Sequence, residues 1–174
     1  LERIFPAMLG AARLLHTQLG VQIAVGVSSL LEFEFVKSFL RDDFPVRLLQ
    51  HAAHDLMKNA DVALVTSGTA TLETAFFRTP MVIVYKTSML TYLVGRLVVR
   101  IDSIGLANIV AGKKVVPELI QGAATPQRLA EEAMKMLSDA ELRKTISREL
   151  GAVRERLGTV GASQRVAQSL LPLS

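Results

Sequence analysis

The chain has 174 residues, half of them hydrophobic, no cysteine and a formal net charge of +4. That length and apolar fraction give one ordinary domain with ample core, and no shift of composition marks a second. The absence of cysteine excludes disulfides and thiolate metal sites and fits a reducing compartment; aromatics at 5% without interleaved basic runs argue against nucleic acid, while the mild basic excess suits anionic ligands or an anionic membrane surface.

Ile4, Met8, Ala11, Leu15 and Leu19 recur at helical spacing, and Gly20 stops that helix before a strand from Val21 to Val27. Leu14 to Leu31 holds no charged residue, but His16, Thr17, Gln18, Gln22, Ser28, Ser29 and the glycines make it a poor hydrocarbon span, so no transmembrane helix is expected. Leu1-Glu2-Arg3-Ile4 starts without Met and without a signal-peptide pattern, which reads as a piece of a longer chain. Residues 31 to 41 follow as a second helix, Val46 to Leu49 as a strand and Ala52 to Asn59 as a helix.

Val62 to Thr66 is apolar without alternation, the pattern of a parallel strand covered on both faces. It runs into Ser67-Gly68-Thr69-Ala70-Thr71-Leu72-Glu73, where Gly68 permits a sharp turn and Thr69 is the expected N-cap of a helix ending near Arg78. The unpaired amides and positive dipole end of such a helix start can hold a diphosphate. Glu73, an acceptor with two oxygens, can take both hydroxyls of a ribose lying across it. The plainer alternative is that Ser67 and Thr69 only cap the helix and Glu73 only complements its dipole.

Pro80 marks the start of a strand from Met81 to Tyr85. Ser88 to Val99 reads as a strongly apolar helix whose apolar residues wrap too far round for one core face. With Lys86, Arg96 and Arg100 nearby, it either touches an anionic lipid surface or is buried against protein, the favoured reading. Ile104 to Val110 reads as short and irregular, and Glu118 as opening a helical turn behind Pro117. Thr125-Pro126 caps a helix, Ser138-Asp139-Ala140-Glu141 reads as a capping box for the next, and a final helix spans about Ala162 to Leu171. Apolar runs alternating with helical patterns predict an α/β fold, a Rossmann-like parallel sheet with helices on both faces and a helical C-terminal tail. His51 and His54, three apart at a helix start, are expected to be structural or surface residues.

Three motifs in order, Ser67 to Glu73, Thr79-Pro80-Met81-Val82-Ile83-Val84-Tyr85-Lys86, and Asn108 to Gln121 (NIVAGKKVVPELIQ), resemble the donor-side half of bacterial lipid-A-disaccharide synthase over essentially the whole chain. The resemblance implies one half of a GT-B glycosyltransferase that binds a UDP-sugar. The full enzyme would transfer 2,3-diacylglucosamine from UDP to 2,3-diacylglucosamine 1-phosphate with inversion, releasing UDP, with no metal and no cofactor. It would work in the cytoplasm, peripherally at the inner membrane.

Carried over by position, Ser67, Gly68, Thr69 and Thr71 match the loop facing the nucleotide and Glu73 the ribose carboxylate. Asn108 matches a uracil or phosphate contact, and Glu118 and Gln121 match polar positions near the donor sugar. For Glu118 the alternative is an acid complementing its own helix. The family's first strand of this half, with its glycine-serine-arginine turn, is expected before Leu1, as is the acceptor half with the catalytic base. The isolated chain is therefore expected to bind UDP weakly and to be inactive. A homodimer is compatible with the resemblance. The rivals are the donor half of the peptidoglycan N-acetylglucosaminyltransferase or of a UDP-N-acetylglucosamine 2-epimerase, or a non-catalytic nucleotide-binding module.

Overall fold

Helix α1 (Phe5–Leu19) carries a proline in its first turn, where a missing N–H breaks no hydrogen bond, and ends at Gly20 in the left-handed region (φ 65°), whose N–H closes on His16 O. The computed structural model describes residues 2–28, 31–40, 44–87 and 103–157. After α1 come β1 (Ile23–Val27), α2 (Phe33–Lys37), β2 (Val46–Gln50), α3 (Ala53–Asn59), β3 (Ala63–Thr66), α4 (Thr69–Phe76) and β4 (Met81–Tyr85). Then follow α5 (Leu106–Ala111), β5 (Glu118–Ile120), a 3-10 turn (Gln121–Ala123), α6 (Pro126–Ser138) and α7 (Ala140–Arg156). The expected helices at Ser88 to Val99 and Ala162 to Leu171 lie outside the described residues.

Every strand pairing among the described residues is parallel. β1 pairs with β2, and β4 is the middle strand of β3-β4-β5. Met81, Val82, Ile83 and Val84 are at most 1% exposed, which accounts for their unbroken apolar run. β3 was expected to be covered on both faces, but only Val65 is buried there and Thr66 is exposed. Among the described residues it pairs with β4 alone.

Helices lie on both faces. α1 packs along α6, which rests on β3 and β4, while α7 packs across α4 and α5. One side of α1 (Ala7, Ala11, Leu15) enters the main core with β4, Leu129, Ala133, Met136 and Leu150. Phe5 and Leu9 join a smaller cluster with Val27 and Val36 under β1 and β2. No helix among the described residues is long and apolar enough to cross a membrane.

Several local expectations are corrected. Glu118 does not open a helix: residues 118–120 form β5, with Glu118 opposite Ile83 and Pro117 O accepting from Ile83 N. Pairing along a buried strand outweighs the local proline-then-acid signal. The segment expected to be irregular contains α5, bracketed by Gly105 and by Gly112 at φ 68°; six residues are too few for helical periodicity to be visible. Asp139, not Ser138, caps α7, accepting from Glu141 N and Leu142 N at 2.9 Å. Ser138 is still in α6, and a cap needs the extended backbone that Asp139 adopts. Thr69 is likewise the first residue of α4 rather than its cap, which is Gly68.

Candidate functional site

The carboxyl ends of β3, β4 and β5 lie side by side, the place where open α/β sheets gather ligand-binding loops. At the end of β3, Ser67 N–H extends the ladder to Val84 O at 2.9 Å. Gly68 then adopts φ 148° and ψ −162°, a conformation essentially reserved for glycine, and α4 begins. The turn is held from inside by Thr71, fully buried, whose hydroxyl and N–H both donate to Gly68 O at 2.8 and 3.1 Å. The amides of Thr69 and Ala70 have no hydrogen-bond partner among the described residues, as expected of a helix start. Lys86, directly after β4, is half-buried and without an ion-pair partner among the described residues.

Glu73 projects from the second turn of α4 with its side chain 45% exposed, and its Oε2 lies 3.2 Å from His54 Nε2 on α3. The His54 ring in turn rests against Phe77, centroids 5.7 Å apart. His54 was set aside as a structural or surface residue; its pairing with Glu73 crosses nineteen positions of sequence and has no local signal.

A second group is wired together by hydrogen bonds. Glu118 accepts from Ile104 N at 2.7 Å through Oε2, and through Oε1 from Gly105 N at 3.1 Å and Asn108 Nδ2 at 2.7 Å. It complements a helix start, but that of α5 rather than one of its own. Asn108, 1% exposed, also donates to Val116 O at 2.9 Å and accepts from Val115 N and Val116 N at 2.8 and 3.0 Å, which fills both ends of its amide. Ser67 joins the group through its hydroxyl, which donates to Ile104 O at 3.2 Å. Gln121, at φ 52°, holds Thr87 by both backbone groups: Oε1 accepts from Thr87 N at 2.9 Å and Nε2 donates to Thr87 O at 3.2 Å.

The structure thus joins Ser67, Asn108 and Glu118 in one network, with Gln121 steering the chain that leaves β4. Gly68, Thr69 and Thr71 form the turn, and Glu73 is linked to His54 instead. Gly105 permits the close approach of α5, since a Cβ there would stand 2.3 Å from Ile83 Cδ1. Among the described residues no group of three or more His, Asp or Glu side chains is placed to hold a metal ion.

Residues 1–169 match the family model described as Lipid-A-disaccharide synthetase. Among curated proteins, the chain is 45% identical over 174 residues to a lipid-A-disaccharide synthase of Syntrophus aciditrophicus, covering 98% of this chain and 45% of that protein. It is 40% identical to the one of Trichlorobacter lovleyi, over 99% of this chain and 45% of that protein. For that of Geobacter metallireducens the identity is 39%, over 99% and 46%. The chain therefore spans less than half the length of these relatives. With a family match running from its first residue to residue 169, the chain belongs to the lipid-A-disaccharide synthetase family.

Proposed function

We propose that this chain is the UDP-sugar-binding half of a lipid-A-disaccharide synthase. The observation that carries the reading is the convergence at the carboxyl edge of β3 and β4 of a glycine-only turn, the open amides of Thr69 and Ala70, and the half-buried Lys86. Amides, helix dipole and ammonium together neutralise a diphosphate without a metal ion. Glu73 then accepts from the ribose hydroxyls.

In this reading Gly68, Thr69 and Glu73 face the nucleotide directly. Ser67, Thr71, Asn108, Glu118 and Gln121 set the shape of the loops around it, because their side-chain hydrogen bonds already run to the backbone or to one another. The acceptor 6-hydroxyl of 2,3-diacylglucosamine 1-phosphate attacks the anomeric carbon of UDP-2,3-diacylglucosamine, the bond from that carbon to the β-phosphate oxygen breaks, UDP leaves and the hydroxyl proton passes to a general base. The base belongs to the other half of the full protein. Both substrates carry acyl chains, so the full enzyme works at the cytoplasmic face of the inner membrane as a peripheral protein.

Ligand-observed NMR titration with UDP and with ADP, on the protein and on Glu73→Ala, tests this. Saturable binding that prefers UDP and weakens in the variant is the expected result. Equal affinity for both nucleotides, or UDP binding indifferent to Glu73, would remove the basis for the ribose assignment.

A further inference from the structure

At the opposite, amino-terminal ends of the strands, α7 and the segments leading into β3 and β4 surround a cleft of about 700 Å³. Asp61 and Pro80 line it just ahead of the two strands, and Lys144, Arg148 and Gly151 line it from one stripe of α7. Arg78 and Arg143 complete the basic lining.

Two residues that break local rules meet in this cleft. α4 closes with Thr79 N–H on Thr74 O and Arg78 N–H on Ala75 O, a Schellman motif, and Arg78 occupies its left-handed position at φ 60°. Glycine is the usual residue there, because a side chain strains the backbone. Gly151 lies inside α7, where glycine is a poor helix former. A Cβ at Gly151 would stand 3.2 Å from Arg78 Nε and 3.3 Å from Cζ, so the missing side chain is the seat on which the Arg78 guanidinium rests. Complementing the C-terminal dipole of α4 would require neither exception.

One of these cations is also held in place. Arg143 donates to Met136 O and Leu137 O at 2.8 and 2.6 Å, which fixes its guanidinium at the end of α6. Asp61 and Glu155 line the same cleft, yet neither forms an ion pair with Arg78 or Arg148 among the described residues. Arg78 after α4 and Arg143 and Arg148 on α7 line the one cleft together with Ser147, and planar guanidinium forks match the oxygens of a phosphate group. We propose that the cleft formed by Arg78, Arg143 and Arg148 against Gly151 is a second anion site that takes a phosphate group, carried by a soluble phosphate compound or by the headgroup of an acidic phospholipid. The site stands on its own residues and does not depend on the donor-nucleotide reading.

The test uses the full-length protein, with inorganic phosphate followed by 31P line broadening and phosphatidylglycerol vesicles followed by sedimentation against phosphatidylcholine vesicles. The double variant Arg78→Gly/Arg148→Ala removes two guanidiniums while giving position 78 the residue its backbone favours. Lys37→Ala/Lys135→Ala removes the same charge elsewhere. At least tenfold weaker phosphate binding in the arginine variant, with none lost in the lysine variant and UDP binding unchanged in both, is expected. Vesicle binding that disappears with the arginines identifies a lipid headgroup; vesicle binding that survives or is absent, with phosphate binding lost, identifies a soluble ligand. If neither probe binds in a way that depends on Arg78 and Arg148 more than on the lysines, the proposal is overturned.

Discussion

Asn108 Nδ2 lies 2.7 Å from Glu118 Oε1, and through this contact the last strand of the sheet holds the start of α5 in place. Asn108→Ala strips partners from the amides of Val115 and Val116 and from Val116 O, of which Val116 is 1% exposed. Buried groups left unsatisfied cost ~1–3 kcal/mol each, so the variant should lose about 3 kcal/mol in urea unfolding. Gly105→Ala should be destabilised as well, since its Cβ would press on Ile83 Cδ1 at 2.3 Å in the middle of the core. A wild-type unfolding midpoint for Asn108→Ala would show that the network is not structural.

The division of labour within this network explains what could be read in advance. Parallel strands, their order along the chain and the turn at Ser67-Gly68 follow from unbroken apolar runs and from glycine at a backbone that only glycine adopts, all local properties. Asn108, Glu118 and Gln121 were visible as polar residues in a motif, but not as neighbours of Ile104, Val116 and Thr87. The three residues of β5 take their state from β4 rather than from their own pattern, so Glu118 looked like a helix start. The link from His54 to Glu73 arises because α3 and α4 pack together, and neither helix encodes that contact in its own periodicity.

His54 should act on nucleotide affinity through Glu73. Its Nε2 engages Glu73 Oε2 at 3.2 Å in a pair whose side chains are 68% and 45% exposed. Exposed pairs of this kind contribute ~0.2–1 kcal/mol, so His54→Ala should leave stability nearly unchanged while freeing a carboxylate oxygen for the ribose. UDP binding is then expected to tighten by about two- to fivefold. Calorimetric titration of the variant checks this; weaker binding would mean that His54 orients Glu73 instead of competing for it.

The contact between Lys113 on the loop after α5 and Glu149 on α7 should add a pH-dependent increment to stability. Lys113 Nζ donates to Glu149 Oε2 at 2.6 Å, and this hydrogen bond together with the charge of Lys113 holds the Glu149 carboxyl below the ordinary glutamate range. The folded pKa is the lower one, so the contribution is present above the unfolded carboxyl value and is lost as pH falls through the folded value. Wild type should therefore exceed Lys113→Ala in melting temperature at neutral pH, and the two should converge in acid. A difference that persists undiminished well below the glutamate range would mean that packing of the lysine stem, not the ion pair, is responsible.

Arg78 and Gly151 should show coupled stability because each accommodates the other. Arg78→Gly relieves a left-handed residue that costs ~1 kcal/mol or more, so the single variant is expected to unfold at higher urea. Gly151→Ala by itself gains helix propensity worth ~1 kcal/mol but must push aside a guanidinium 3.2 Å from the new Cβ, which offsets the gain. The three atoms nearest that Cβ all belong to Arg78, so the Arg78→Gly background removes the tight approach and the gain of about 1 kcal/mol should appear there. A double-mutant cycle measures the difference directly. Strict additivity of the two substitutions would mean that the arginine does not rest on the helix backbone at Gly151, and the physical basis for an arginine seat in the cleft would be gone.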